Sequence, residues 1–163
     1  EAYAHWRGAS RQPVKLVLAG GKGWFYQQIY ARVAELGLVD DVIFPGFVPN
    51  QDLVWYYRAA ELFVYPSLFE GFGLPVLEAM ASGTPTITST ASSLPEVAGD
   101  AALLVDPADT FALADAIASV LEDQSLADRM RVAGLQQASL FSWARTAQET
   151  FDVYRAALAT GMA

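Results

Sequence analysis

Short apolar runs bounded by Gly, Pro or Asp recur along this chain, with longer amphipathic segments between them. That alternation leaves few folds open. Residues 15–19, 42–45, 62–66, 84–88 and 101–105 have the pattern of strands covered on both faces. Residues 24–36 read as a helix stopped at Gly37, and residues 52–60 as a second helix with Asp52 as N-cap. Ser93-Leu94-Pro95-Glu96 is a capping-box pattern with a proline near the helix start. Leu113, Ile117, Val120 and Leu121 share one face of a further helix. Residues 125–158 are helical in pattern, and the spacing predicts two helices broken near Phe141, with Ser142 capping the second. Strands alternating with helices in this way predict an α/β fold, a doubly wound parallel sheet with helices on both faces. In such sheets ligands bind beyond the carboxyl ends of the strands, so the loops there are where chemistry belongs.

Composition narrows the function. The chain has 163 residues, 53% of them hydrophobic, which is ample for a large core. Ten Lys and Arg against eighteen Asp and Glu give a net charge of −8. That balance excludes a surface built to neutralise nucleic-acid phosphates and is unlike a polybasic membrane-binding face. No apolar run approaches the ~20 residues needed to span a bilayer, and residues 1–11 carry no signal-peptide pattern. With no cysteine, disulfides, thiolate zinc sites and cysteine nucleophiles are excluded. The expectation is a soluble, cytoplasmic domain over residues 1–163.

The densest chemistry follows the third apolar run, in the stretch from Ser67 to Pro85. Gly71 and Gly73 let the backbone approach a ligand closely. Pro75 suits a first helical turn, so N–H groups around Gly73 to Val76 are expected to face the cleft and, with the helix dipole, to favour phosphate. Glu70 precedes this helix and Glu78 lies about one turn inside it. Two carboxylates so placed can face one ligand from different distances.

Two glutamates eight positions apart around Gly-Phe-Gly-Leu-Pro resemble the E-x7-E signature of the retaining glycosyltransferases of family GT4. Phe44-Pro45-Gly46-Phe47-Val48-Pro49 resembles the base-binding loop of that family, and Leu62-Phe63-Val64-Tyr65-Pro66-Ser67 the strand entering the motif. Ser92-Ser93-Leu94-Pro95-Glu96-Val97 and Ala101-Ala102-Leu103-Leu104-Val105-Asp106-Pro107 follow in the family's order. The resemblance runs from about Val14 to Leu158. It implies a Rossmann-like domain, the C-terminal, donor-binding half of a GT-B fold. It further implies that Glu78 binds the ribose hydroxyls and that Glu70 holds hydroxyls of the donor sugar near the anomeric carbon. Backbone of Gly71, Phe72, Gly73, Leu74 and Pro75 would line the sugar and phosphate pocket, and Gly46, Phe47 and Val48 the base. The implied reaction moves a hexose from a nucleotide-diphosphate sugar to an acceptor hydroxyl, with retention and without a metal or other cofactor. No Asp-x-Asp metal motif is present. Charge on the departing diphosphate would then fall to a helix N-terminus and basic side chains. The surroundings of Gly23-Trp24 and Ser92-Ser93-Leu94-Pro95 resemble mannosyltransferase-like members, which points to GDP-mannose or a UDP-hexose as donor.

Other features carry less. Taken alone, the Gly-Phe-Gly-Leu-Pro stretch is also an ordinary strand-to-helix turn with a solvated Glu78. Glu70 as a nucleophile would need a partner acid at a defined separation, and none is evident. Gly20-Gly21-Lys22-Gly23 fits neither nucleotide-loop spacing and reads as a tight turn. Trp24, Phe25, Tyr26, Trp55, Tyr56 and Tyr57 read as packing residues. His5, the only histidine, reads as a surface residue, and Asp40 and Asp41 as a solvated turn. A non-catalytic nucleotide-binding or assembly module of the same fold is the alternative function. A sugar epimerase or phosphorylase of related fold lacks its expected acidic, histidine or pyridoxal-lysine residues.

Against the family pattern, the acceptor-binding N-terminal domain has no counterpart. Neither does the first strand of this domain, nor the following loop with its diphosphate-clamping Arg and Lys. The chain by itself is therefore expected to bind nucleotide sugar weakly and not to turn over, the longer parent being cytoplasmic and peripheral to the membrane. With a strand order of 3-2-1-4-5-6, the missing strand is central. Either the strands at 15–19 and 62–66 close up, or another segment or a second copy fills the slot, since an open edge invites association.

Overall fold

The structure, a computed structural model, describes residues 1–23 and 26–160. Each apolar run forms a strand: β1 (Leu16–Ala19), β2 (Val42–Gly46), β3 (Phe63–Tyr65), β4 (Thr86–Ser89) and β5 (Leu103–Val105). The amphipathic segments form α1 (Ala2–Ala9), α2 (Tyr26–Glu35), α3 (Asn50–Ala59), α4 (Leu74–Ala81), α5 (Leu94–Ala98), α6 (Thr110–Glu122), α7 (Gln124–Ser139) and α8 (Trp143–Thr160). Every strand pairing is parallel, as a βαβ succession requires.

The pairing divides the strands into two sheets, β1-β2 and β3-β4-β5. Of the two expected outcomes, closure of β1 onto β3 is not the one seen: no ladder joins them. The two sheets nonetheless share a core. One apolar cluster holds Leu38 and Val42 together with Ile87, Val105, Ala114, Ile117 and Val120, and takes in Tyr3 and Trp6 of α1. Helices α1 and α6 pack on one another across it. Val17 and Leu18 of β1 are 42% and 37% exposed, unusual for a parallel strand. By contrast β4, flanked on both sides, is buried along its length. Its hydroxyls are satisfied locally: Thr88 Oγ1 donates to the Tyr65 carbonyl (2.9 Å) and Thr86 Oγ1 to the Thr84 carbonyl (3.0 Å).

A second cluster (Val76, Met80, Leu94, Val97, Ala98 and Ala101) seats α4 and α5 beside this three-stranded sheet. Gly37, at φ +68°, follows α2 as expected. The Ser142 hydroxyl accepts from the Arg145 amide (3.1 Å) at the start of α8. Three local readings are corrected. Asp52 lies in the first turn of α3 behind Pro49 and is not the cap. Trp55 (62%) and Tyr56 (41%) are exposed, being on the face of α3 turned from the core. Asp41 is more than a solvated turn residue: it pairs with Lys15 (3.1 Å) and Arg7 (3.5 Å), and the Lys15 ammonium bonded to it lowers its pKa. Asp40 and His5 are exposed, as expected, and Trp24 and Phe25 lie outside the described residues. Among the described residues no helix is long and apolar enough to cross a membrane.

Candidate functional site

The loops leaving the carboxyl ends of the strands meet as the topology requires. The Gly20 amide donates to the Gly46 carbonyl (2.9 Å), tying the turn after β1 to the end of β2. Gly46 takes φ +77°, which glycine tolerates and which turns the chain out of the strand. Val48 is buried and anchors the loop, while Phe47 stands 75% exposed. Lys22 lies over the Tyr26 ring, its Nζ 5.3 Å from the centroid.

Glu70 is held by a network of hydroxyls. Its Oε1 accepts from Tyr65 Oη (2.7 Å) and from Ser67 Oγ (3.0 Å). Its amide donates to Ser92 Oγ (2.9 Å). Ser93 Oγ sits 3.0 Å from the Glu70 carbonyl and 2.9 Å from the Phe72 carbonyl, its one proton shared between them. Ser89 Oγ donates to the Ser67 carbonyl (2.6 Å). Ser89 at the end of β4, with Ser92 and Ser93 before α5, thus fastens the loop of residues 67–72. This corrects the capping-box reading: Ser93 precedes α5, but its hydroxyl serves the neighbouring loop and makes no cap bond.

The loop then enters α4 through Gly73, at φ +109° and buried. A Cβ there would stand 2.7 Å from Leu94 Cδ2. Only glycine meets both conditions without strain. Pro75 occupies the first turn. The amides of Val76 and Leu77 turn back to the Gly73 carbonyl (3.0 and 3.3 Å), so Val76 drops out of the expected donor set. At the entry to α4 the amides of Gly71, Phe72, Gly73 and Leu74 have no partner among the described residues. Free donors before a helix N-terminus are suited to an anion.

Glu78 is exposed on α4, and its Oε2 accepts from Tyr57 Oη (3.0 Å). Thr84 Oγ1 donates to the Tyr57 carbonyl (2.7 Å), fixing α3 against the turn after α4. Asn50, Leu53, Tyr57, Arg58 and Glu78 line an open cleft of about 390 Å³ between the two helices. A wider groove of about 760 Å³ along α7 holds neither glutamate. Among the described residues no group of three or more His, Cys, Asp or Glu could hold a metal ion.

Sequence reasoning overlooked Tyr57, Tyr65 and the serine clamp. Tyr57 stands 21 residues from Glu78, so no local spacing announces the pair. Burial raises the Tyr57 phenol above its ordinary value, and the Glu78 charge raises it further. Burial likewise lifts Tyr65 to about 12, with its hydrogen bond to Glu70 adding to the shift. A raised phenol favours the protonated folded state, so this stability is fully present below pH ~10 and lost as pH climbs toward about 12. An ultraviolet titration of Tyr65→Phe is expected to lose a late-ionising phenol, while a curve of unchanged shape would contradict the assignment.

Residues 1–137 match the family model described as Glycosyl transferases group 1. The chain is 40% identical over 147 residues to the O-antigen chain mannosyltransferase B of Escherichia coli, covering 90% of this chain and 38% of that protein. It thus spans well under half of this relative's length. A sucrose-phosphate synthase of Thermosynechococcus elongatus superposes with a TM-score of 0.85 at 33% identity, over 98% of this chain and 42% of the other. Anabaena HepE, solved in complex with UDP and glucose, shares the fold with a TM-score of 0.84 at 22% identity, over 95% of this chain and 44% of that one.

Proposed function

The chain belongs to the glycosyl transferases group 1, and on that premise we propose that it is the donor-binding domain of a retaining hexosyltransferase. The carrying observation is the run of unpartnered amides from Gly71 to Leu74, with Glu70 before it and Glu78 behind it. A nucleoside diphosphate sugar has a complementary layout: an anion between two hydroxyl-bearing rings. The diphosphate sits at the N-terminus of α4, Glu78 accepts from the ribose diol, and Glu70 accepts from the donor sugar. The base lies along Gly46, Phe47 and Val48, and Pro75 closes the sugar pocket. The bond from the anomeric carbon to the diphosphate breaks, the acceptor hydroxyl oxygen bonds that carbon, and the hydroxyl proton passes to the departing diphosphate oxygen. Charge gathering on the leaving diphosphate is met by fixed amides and the helix dipole, which need no reorganisation.

Mannose is the sugar we favour, since a relative with 40% identity is named a mannosyltransferase. Calorimetry of this chain with GDP and with UDP tests the reading: one of them is expected to bind, and a folded sample that binds neither favours a non-catalytic module instead.

The open slot between β1 and β3 carries its own prediction. Unpaired strand edges beside exposed Val17 and Leu18 promote association with a second copy. Light scattering is expected to give a mass above 17.6 kDa that rises with concentration. A strict monomer at every concentration would contradict it.

A further inference from the structure

Both glutamates rest on tyrosines that belong to one stack of rings. Tyr57 lies in α3 and Tyr65 ends β3, with the Phe63 ring between them. Phe63 is edge-on to Tyr57 (5.3 Å, 80°) and nearly parallel to Tyr65 (5.9 Å, 15°). At one end the Tyr57 phenol donates to Glu78 Oε2, and at the other the Tyr65 phenol donates to Glu70 Oε1. In each carboxylate the second oxygen has no protein donor among the described residues. The backbone behind each ring is fastened too, by the Thr84 hydroxyl on the Tyr57 carbonyl and the Thr88 hydroxyl on the Tyr65 carbonyl.

We propose that Tyr57 and Tyr65 are positioning residues joined through Phe63 into one spine, which presents Glu78 to the ribose and Glu70 to the transferred sugar. The assignment rests on the donor-site reading above. A free glutamate must give up rotamer freedom when it takes hold of a ligand. A phenol bonded to one oxygen removes that freedom beforehand and leaves the other oxygen for the ligand's hydroxyls. Phenol to carboxylate is a charge-assisted hydrogen bond, among the stronger kinds. Because both phenols are pushed above their ordinary range, they remain donors throughout the neutral range. The stack gives the two carboxylates a common reference.

Calorimetry on this chain separates the two duties. UDP and UDP-glucose form one pair of probes, and GDP and GDP-mannose the other. Tyr57→Phe keeps its ring on Phe63 and is expected to raise Kd about tenfold for the free diphosphate and its sugar conjugate alike. Tyr65→Phe is expected to leave the diphosphate within about twofold and weaken only the conjugate, by about tenfold. Phe63→Leu retains both hydroxyls but breaks the stack, and is expected to weaken both ligands. Thermal melts run alongside confirm that each variant is folded. A folded Tyr57→Phe that binds like the wild type, or a folded Tyr65→Phe that either binds like the wild type or loses both ligands equally, would overturn the assignment alone. A folded wild type that binds none of the probes would overturn the donor-site reading and this assignment with it.

Discussion

In an active enzyme carrying this domain, Glu70→Ala is expected to lower kcat about 100-fold, with the donor KM changed by no more than about threefold. Glu70 is pinned by Tyr65 and Ser67 and its loop by Ser92 and Ser93, so the position is costly to build and specific in its aim. If its free oxygen holds a sugar hydroxyl beside the anomeric carbon, its loss lets the reacting carbon wander. A displacement of about 1 Å is enough for a loss of this size. Glu78→Ala is expected to act the other way, raising KM about tenfold and sparing kcat, because ribose contacts are made equally in the ground and transition states. Steady-state kinetics with the natural donor decide the matter. Equal effects of the two substitutions on both parameters would remove the division of labour.

Gly73→Ala is expected to have the largest effect on stability, costing about 2 to 5 kcal/mol. Two separate penalties add. A side chain at φ +109° carries a backbone cost of about 1–2 kcal/mol. The new methyl would also stand 2.7 Å from Leu94, which is fully buried and cannot swing away, adding about 1–3 kcal/mol of overpacking. At roughly 2–4 °C per kcal/mol for a domain of this size, the melting temperature should fall by about 4–20 °C. Gly71→Ala is the matched control, since a Cβ at Gly71 meets nothing within 4 Å. Indistinguishable melts for the two variants would show that Gly73 is not under the constraint described.

Much of this was legible in the sequence because the signals are local. Each of the five apolar runs contains a strand, and the broken helical region after Ser125 divides near Phe141 as expected. Gly71, Gly73, Pro75 and the two glutamates were placed by spacing alone. What escaped was set by contacts between distant segments. Ser93 looked like a helix cap, because a capping box is read from four neighbouring residues. Its actual acceptors lie 21 and 23 residues away. Tyr57 looked like a packing aromatic, because nothing on its own helix names Glu78 as its partner. Whether β1 and β3 would pair was left open by the sequence, and they do not. A core shared by Val42, Ile87 and Val105 holds the sheets in place, and no periodicity reports which strands share a core.

Backbone amide exchange, followed residue by residue with and without a saturating nucleoside diphosphate, tests the proposed donor site most directly. Slowed exchange is expected at Gly71, Phe72, Gly73 and Leu74, whose amides have no partner in the free protein, and in the Gly46–Val48 loop. Ligand bound with these amides unchanged, or with protection elsewhere along α7, would contradict it.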